Sequence, residues 1–431
     1  MRNQIKVFKF GGASVKDAEA IKNVAKILKS YKQDSILVVV SAMGKTTNAL
    51  EKVIHAYFED RKNAIELLEE VHQTHLKEVE KLLGKDHAVE KDILKLVNAV
   101  KRFLKQNKKK EYDYVYDQIV SLGELLSTTI VAAYLNKLKL STCWLDARKN
   151  IKTDNTYREG NIDWKSTQKN ILKNALPILK KNGYVLTQGF IASTKDKSTT
   201  TLGREGSDFT AAIFSYCLDA ESMSIWKDVP GILTGDPRLF KKVEKIDRLS
   251  YKEAIEMTYY GAKVIHPKTI KPLQNKSIPM YVKSFVDPKG EGTFIGADVD
   301  AHYPPVVVVE SGQVMIQIST KDFSFVAEHH LSFIFQLFTK YRTKVNMMQN
   351  MAISFSVCAT IKDEGRLSKL IEELKKTFNV VVQKELELIT VRHYHKSVID
   401  QMKKHKIVML EERIRNTIQM VVKDVPVMER K

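Results

Sequence analysis

The sequence predicts an α/β protein: a three-layer αβα sandwich around a mostly parallel central sheet, followed by two small α+β modules. Three observations predict it. The chain has 431 residues, too many for one hydrophobic core. As far as about residue 298, short β-branched runs alternate with helical patterns, the rhythm of a parallel sheet covered by helices on both sides. After "GADVDAHYPP" (296–305), a Pro-containing acidic boundary, the texture changes to smaller units.

In the first region the strands are "KVFKF", "SILVVV", "STCWLD", "YVLTQGFI", "SMSIWK" and "MYVKSF". The helix "AEAIKNVAKILKSY" puts Ile21, Val24, Ala25 and Leu28 on one face. A helical insertion at about 50–112 breaks the alternation. Ile65, Leu68, His72, His75/Leu76, Val79 and Leu82 form one stripe, and Ile93, Leu96, Val100 and Phe103 a second. The two stripes predict an antiparallel helical pair packed beside the sheet. His72 and His75 read as packing residues, since no further metal ligands accompany them.

The C-terminal region reads "VMIQIS", helix "HLSFIFQLFTKY", "VNMMQN", "ISFSVCATI", helix "GRLSKLIEELKKTF", "NVVVQKEL". This is the βαββαβ order of ferredoxin-like modules, placed at 306–385. A shorter pass, "LELITVRHY", "KSVIDQMKKH", "KIVMLEERIR" and "TIQMVVKD", places a second module at 386–431, completed by strands near the first. Tandem modules without catalytic motifs suit a sensor attached to an enzyme.

Composition narrows the class. Apolar residues at 43% and charged residues at 28% fit an ordinary soluble globular protein. The most apolar run, "SILVVVSAM", has the length of a strand and not of a membrane span. The start, "MRNQIKVFKF", lacks a long apolar stretch, so no secretory signal is expected. Cys143, Cys217 and Cys358 lie far apart in mostly apolar company and read as buried thiols in a reducing compartment. The net charge of +19 invites a nucleic-acid partner, yet the lysines are spread along the chain. Their one dense knot, "KRFLKQNKKKEY", reads as a solvated helix end, and no RNA- or DNA-binding signature accompanies it. The charge also fits a membrane surface or an anionic small molecule, and it is weak evidence for a nucleic acid.

Three strand-to-helix junctions carry the chemistry. In "VFKFGGASV" a strand runs into two glycines, and a helix begins near Ser14, which can cap it. Backbone N–H groups at such a junction form an anion nest, with Lys9 beside it. In "TTTLGREGSDFTAAIF", Gly203 and Gly206 bracket Arg204 before a helix opened by Ser207 and Asp208. In "IWKDVPGILTGDPRLF", a strand ends at Lys227 and Asp228, and the following loop presents Arg238. Each alone reads as a surface turn. Together at the carboxyl edge of one sheet they make a phosphate site.

These residues resemble the aspartokinases of the amino-acid kinase superfamily. The resemblance covers essentially the whole length and rests on "KFGGASV", "SAMGKTTNAL", "SLGELLS", "TLGREGSDFTAA", "KDVPGILTGDPR" and "GAKVIHP", in family order. The tail resembles paired ACT modules, which bind amino-acid effectors in such enzymes. The resemblance implies transfer of the ATP γ-phosphoryl group to the β-carboxylate of L-aspartate, the first step toward lysine, threonine and methionine, with Mg2+ carried on the nucleotide. It implies a cytoplasmic homodimer joined through the ACT modules, or a tetramer built from it.

By family position, Lys9 and Asp208 are the catalytic pair: Lys9 lies against the transferring phosphate, and Asp208 orients it or helps hold Mg2+. Ser41, Thr47, Glu124, Arg204 and Ser207 line the aspartate pocket, Glu124 taking the ammonium and Arg204 the α-carboxylate. Gly11, Gly12, Ser14, Lys227, Asp228, Arg238 and Lys263 join Lys9 around ATP. Lys321, Asp322, Phe323, Ser324 and Asn346 mark the effector and dimer surfaces. Departures from the family pattern are Ala13 and Lys227 for common Thr residues, Glu205 for Gly, Pro230 for Asp and Leu233 for Tyr. In the first ACT module "AEHHLSF" lacks a common glycine, and Asn346 stands where relatives often carry Asp. Two rival readings exist. A kinase for another acid, such as glutamate or acetylglutamate, is opposed by the "SLGELLS" and "GREGSD" pair and the ACT tail. A non-catalytic amino-acid sensor is opposed by the intact Lys9, Glu124, Arg204, Asp208 and Lys263.

Overall fold

The computed structural model describes residues 5–425 except 182, 204, 262–264, 298, 300, 301, 323 and 362. They form two compact units. Met1–Ile232, Lys245–Thr258 and Lys263–Ala301 make the first; Leu233–Glu244, Tyr259–Ala262 and His302–Lys431 make the second.

The first unit is built on an eight-stranded sheet. Across it the strands run Arg248–Ser250, Thr293–Gly296, Met280–Ser284, Ser222–Lys227, Ile5–Phe10, Ser35–Val40, Tyr184–Gln188 and Thr142–Leu145. Every pairing is parallel except that of Met280–Ser284 with Thr293–Gly296. Parallel strands are covered on both faces, which is why Ile36–Val40 is an unbroken apolar run with no exposed residue. From the central strand Ile5–Phe10 the chain first moves to Ser35–Val40 on one side, while Ser222–Lys227 lies on the other. The order therefore reverses at the end of Ile5–Phe10, where open α/β sheets bind ligands.

The expected helical pair is present as Arg61–Leu83 and Val89–Gln106, packed on each other. The apolar stretch Tyr112–Lys137 is long enough to cross a bilayer, but 78% of its most apolar window is buried in this unit as core. "YVLTQGFI" is not one strand. It breaks at Gly189 and Phe190, and Ile191–Ser193 pairs instead with Thr199–Thr201. A Cβ at Gly189 would sit 2.4 Å from the Cβ of Ser207, so the chain turns where it meets the start of helix Gly206–Leu218. The reading of three buried thiols is corrected at Cys143, which is exposed on the edge strand Thr142–Leu145, where one side of the pleat faces outward. Cys217 and Cys358 are buried, and burial pushes both thiols up to about 12.

The second unit carries a six-stranded antiparallel sheet in the order Lys344–Asn350, Ser354–Thr360, Val306–Thr320, Phe378–Arg392, Thr417–Asp424 and Lys406–Ile414. Two strands of 15 residues run through its centre. Gln313–Thr320 pairs with Phe378–Leu386, whereas Val306–Glu310 pairs with Leu388–Arg392. The register slips between these halves, where Gly312 and Glu385 take φ of 71° and 59°. With helices Glu328–Lys340, Glu364–Thr377 and Lys396–Lys403 this is an ACT-like region. The "VVVV" start of the first long strand had no assigned element in the sequence. It has no alternation to mark a face and follows two prolines.

Candidate active site

The site is assembled from the carboxyl ends of strands in the first unit. Ile5–Phe10 delivers Lys9 and then Gly11 and Gly12, which open a short 3-10 turn, Gly12–Val15. The next loop, 41–45, leaves strand Ser35–Val40 and lies against this turn backbone to backbone. Ser41 N donates to Phe10 O at 3.1 Å, and Gly44 N donates to Gly12 O at 3.1 Å. A Cβ on Gly12 would meet Ala42 O at 2.9 Å and Gly44 O at 3.2 Å, so only glycine lets the loops approach this closely. Ser14 does not cap a helix here. Its hydroxyl donates to Trp226 O at 3.4 Å, and the following helix, Ala18–Lys29, is capped by Asp17, which accepts from Ala20 N at 2.8 Å. The 3-10 turn delays the α-helix until Asp17, whose side chain reaches the free N–H groups of the first α-helical turn.

Asp208, in the first turn of helix Gly206–Leu218, is 1% exposed. Lys9 Nζ lies 2.6 Å from its Oδ1, an ion-pair contact, and Lys227 Nζ, from the end of Ser222–Lys227, lies 3.8 Å from its Oδ2. Burial alone would raise the Asp208 carboxyl; Lys9 and Lys227 outweigh it and hold the group below the usual range. Glu205 joins them. It takes a left-handed φ of 56°, and its carboxyl is hydrogen-bonded to that of Asp208. Burial raises the Glu205 carboxyl above its usual range, Lys227 opposes the rise, and Asp208 adds to it. Sequence reading noted Glu205 only as a departure. Its contact with Asp208 follows from i,i+3 spacing around a turn, which a motif does not reveal.

Across the 41–45 loop, Glu124 sits in the first turn of helix Leu122–Lys137 and is 3% exposed. Ala42 N donates to its Oε1 at 3.3 Å, while Oε2 is buried without a partner. Burial pushes this carboxyl up to about 8, only partly offset by backbone N–H donation. A buried, half-satisfied carboxylate is costly unless a cation completes it. Thr47 stands in the first turn of helix Thr46–Glu59, and Ser207 abuts Gly189. Asp228 is exposed in the loop after Lys227.

The structure therefore joins Lys9, Asp208 and Lys227 directly, holds Phe10 and Gly12 backbone to backbone against the loop that carries Ser41, and ties Glu124 to that loop through Ala42. Arg204 and Lys263 lie outside the described residues. Arg238 belongs to the second unit, where Asp236 holds its guanidinium with contacts of 3.0 and 2.6 Å. In that unit Asp322 Oδ1 accepts from Ser324 N and Oγ at 3.1 and 2.7 Å, which holds its carboxyl low, and Lys321 Nζ donates to Lys376 O at 2.9 Å. Asn346 is elsewhere: its Nδ2 donates to Gln313 Oε1 at 2.7 Å and Thr360 Oγ1 at 2.6 Å, and its Oδ1 is buried without a partner. Gln313 precedes Ser319 by six strand positions, so the Lys321–Ser324 turn is roughly 20 Å from Asn346. Phe323 lies outside the described residues.

One supporting residue escaped the sequence altogether. Asp117 is fully buried and accepts from Arg158 N at 2.8 Å, Thr201 N at 2.9 Å and Thr201 Oγ1 at 2.8 Å. It fastens the strand leading into Gly203 to the helix Tyr112–Val120.

Comparison with known proteins gives the family of the chain. The model of the amino acid kinase family matches residues 4–284. The chain is 30% identical over 404 residues to the lysine-sensitive aspartokinase 3 of Escherichia coli (strain K12), covering 90% of this chain and 87% of that one. It is 33% identical over 311 residues, 68% of this chain, to a bifunctional aspartokinase/homoserine dehydrogenase of Buchnera aphidicola, of whose length it spans 36%. Among solved structures, E. coli aspartokinase III in complex with aspartate and ADP superposes with a TM-score of 0.82 at 27% identity, covering 97% of this chain and 96% of that one. The same enzyme in complex with lysine and aspartate gives 0.81 at 27% identity, covering 98% and 96%.

The contact between the two loops yields a test. Gly12→Ala places a methyl group 2.9 Å from a backbone carbonyl. The chain is expected to fold, to lose about 1–3 kcal/mol in urea denaturation, and to turn over more slowly. An unchanged denaturation midpoint and rate would show that the loops yield freely.

Proposed function

We infer, since the chain belongs to the aspartokinases of the amino acid kinase family, that it transfers the γ-phosphoryl group of ATP to the β-carboxylate of L-aspartate. The observation that carries this reading is the pairing of two sites. One is a glycine turn backed by Lys9 and Lys227 around Asp208; the other is Glu124, with a buried oxygen that lacks a partner. The first suits a polyphosphate and the second an ammonium group.

The aspartate side chain, with an ordinary pKa of about 3.9, is already ionised at neutral pH and needs no general base. One of its carboxylate oxygens attacks the γ-phosphorus. The bond from that phosphorus to the β,γ-bridging oxygen breaks, and ADP leaves with the electron pair. The obstacle is the approach of two anions, so catalysis is charge neutralisation and positioning. Lys9 sits where the transferring group passes, with Asp208 fixing its ammonium. Gly11 and Gly12 offer N–H groups, and Ser14 keeps the turn in place through Trp226. Lys227, Asp228 and Lys263 are assigned to the nucleotide; Ser41, Thr47, Ser207 and Arg204 to aspartate, with Arg204 clamping the α-carboxylate.

Among the described residues no group of three or more His, Cys, Asp or Glu side chains could hold a metal ion. Mg2+ is assigned to the nucleotide, where phosphate oxygens and water would supply most of its ligands. There it would screen the phosphate charge, and Asp208 would help to hold it. The product, 4-phospho-L-aspartate, is an activated acid suited to amino-acid biosynthesis in the cytoplasm.

The ACT-like unit is assigned to an amino-acid effector, around Lys321, Asp322, Phe323, Ser324 and Asn346, and to dimerisation. Its edge strand Lys344–Asn350 leaves backbone groups unpaired, and Met348, Met351 and Ile353 are exposed beside it. Met348→Lys is expected to shift the sedimenting species from dimer to monomer; a dimer that persists unchanged would place the interface elsewhere.

A coupled assay for ADP release with aspartate, glutamate and acetylglutamate tests the activity itself. Aspartate alone should support turnover. Lys9→Ala should lower kcat by about 10²–10³-fold with little change in aspartate KM, and Arg204→Ala should mainly raise that KM. Near wild-type kinetics in either variant would remove the assigned role.

Glu124 gives a pH dependence. Its folded-state pKa is raised from 4.5 to about 8, so the empty site is mostly protonated at neutral pH. The stability tied to this group is full below the unfolded value and is lost as pH rises through the folded one. Aspartate's ammonium requires the ionised form, so binding releases a proton. Aspartate KM should therefore fall as pH rises from 6 to 8, and Glu124→Gln should raise KM and flatten the profile. A wild-type KM that is flat across this range would exclude Glu124 as the ammonium partner.

A further inference from the structure

A cavity of about 330 Å³ lies behind the 41–46 loop, between the start of helix Thr46–Glu59 and the face of helix Arg61–Leu83. This volume lies at the lower end for small-molecule sites. None of the residues placed in the catalytic site lines it. Its lining has three chemistries. Lys16, Lys45 and Lys52 bring cations, and no ion pair or hydrogen bond of their side chains occurs among the described residues. Glu70, Thr74 and Glu78 stand on the helical wall, Glu78 already engaged by Ala18 N at 2.7 Å and Lys81 at 2.6 Å, and Met43, Leu67 and Val71 supply apolar surface.

The buried His75, 2% exposed, also lines the cavity. Its Nδ1 is 2.7 Å from Val71 O. A carbonyl can only accept, so Nδ1 carries the proton. Burial holds the imidazole pKa below its usual value, which leaves Nε2 a bare acceptor. The nearest partner of Nε2 is Thr46 Oγ1 at 3.5 Å, but that hydroxyl donates to Met43 O at 2.7 Å. Nε2 therefore faces an oxygen whose proton is already used. A buried acceptor left without a donor is unfavourable by about 1–3 kcal/mol, and an occupant of the cavity carrying an N–H group would complete it.

We propose that this cavity is a second amino-acid site, separate from the aspartate pocket and from the C-terminal unit, which takes a zwitterion with an apolar side chain. The carboxylate meets the lysines, the ammonium meets His75 Nε2 and Glu70, and the side chain covers Met43, Leu67 and Val71. A plain anion would satisfy the lysines but leave His75 unmatched and face Glu70; a plain hydrocarbon would satisfy neither. The occupant rests directly on the loop whose Ala42 N–H holds Glu124 and whose Gly44 N–H holds the glycine turn. Its binding is therefore coupled to aspartate binding, and the coupling is reciprocal.

The site rests on the cavity and is tested by heat of binding without ATP; only its coupling to aspartate rests on the phosphoryl-transfer reading. The full chain is titrated calorimetrically with L-leucine, L-methionine, L-valine and L-phenylalanine in turn. At least one should bind with one site per chain. Its N-acetyl derivative and its amide, which remove the ammonium and the carboxylate charge, should bind at least tenfold more weakly. Thr74→Trp, which fills the cavity from an exposed helical position, and Lys52→Glu, also exposed, should each weaken binding at least tenfold while melting as the wild type does. No binding by any of the four overturns the proposal, as would a cavity that holds only water. Binding undiminished in both folded variants places the amino acid elsewhere and overturns it equally.

Discussion

A carboxylate with no access to water constrains the whole first unit. Asp208 is ionised and buried, a condition that is tolerable only with cations at hand. The cations come from two adjacent strands, Lys9 from Ile5–Phe10 and Lys227 from Ser222–Lys227. Their parallel pairing brings both strand ends to the same edge, under the start of helix Gly206–Leu218. The helix start must in turn sit close, and it does so by leaving no room for a side chain at Gly189. One ion triad thus ties together strand order, strand direction and a helix position.

That triad also explains why departures from the family pattern can occur together. Glu205 puts a second carboxyl beside Asp208, and Lys227 puts a second cation within 3.8 Å of it. The two act against each other, since burial and Asp208 raise the Glu205 carboxyl and Lys227 opposes the rise. The missing hydroxyl at Ala13 is of another kind. Ala13 is exposed, and nothing in the structure explains the change.

Much of this was legible in the sequence, for reasons that differ by residue. Lys9, the paired glycines, Lys227 and Asp208 sit in short motifs at strand ends, where a few neighbours reveal both element and chemistry. The long helices announced themselves by stripes of Leu, Val and Ile. Asp117 was invisible because it belongs to no motif and its partner Thr201 lies 84 residues away. The cap at Asp17 was misassigned to Ser14 because sequence alone does not show the 3-10 turn that delays the helix. Val306–Glu310 escaped for a related reason: its identity as a strand depends on Leu388–Arg392, a pairing that only the fold creates.

Those two long central strands have an evolutionary and practical corollary. Each contributes one half to either side of the sheet, so the C-terminal unit cannot be divided by cutting a linker. Removing the chain after the first βαββαβ pass strips Val306–Glu310 of its partner and leaves a row of bare valines with open hydrogen-bonding groups, a template for aggregation. Gene fusion and truncation can then trade this unit as a whole but not by halves, and the duplicated modules are held to a common fate by backbone rather than by selection on either one.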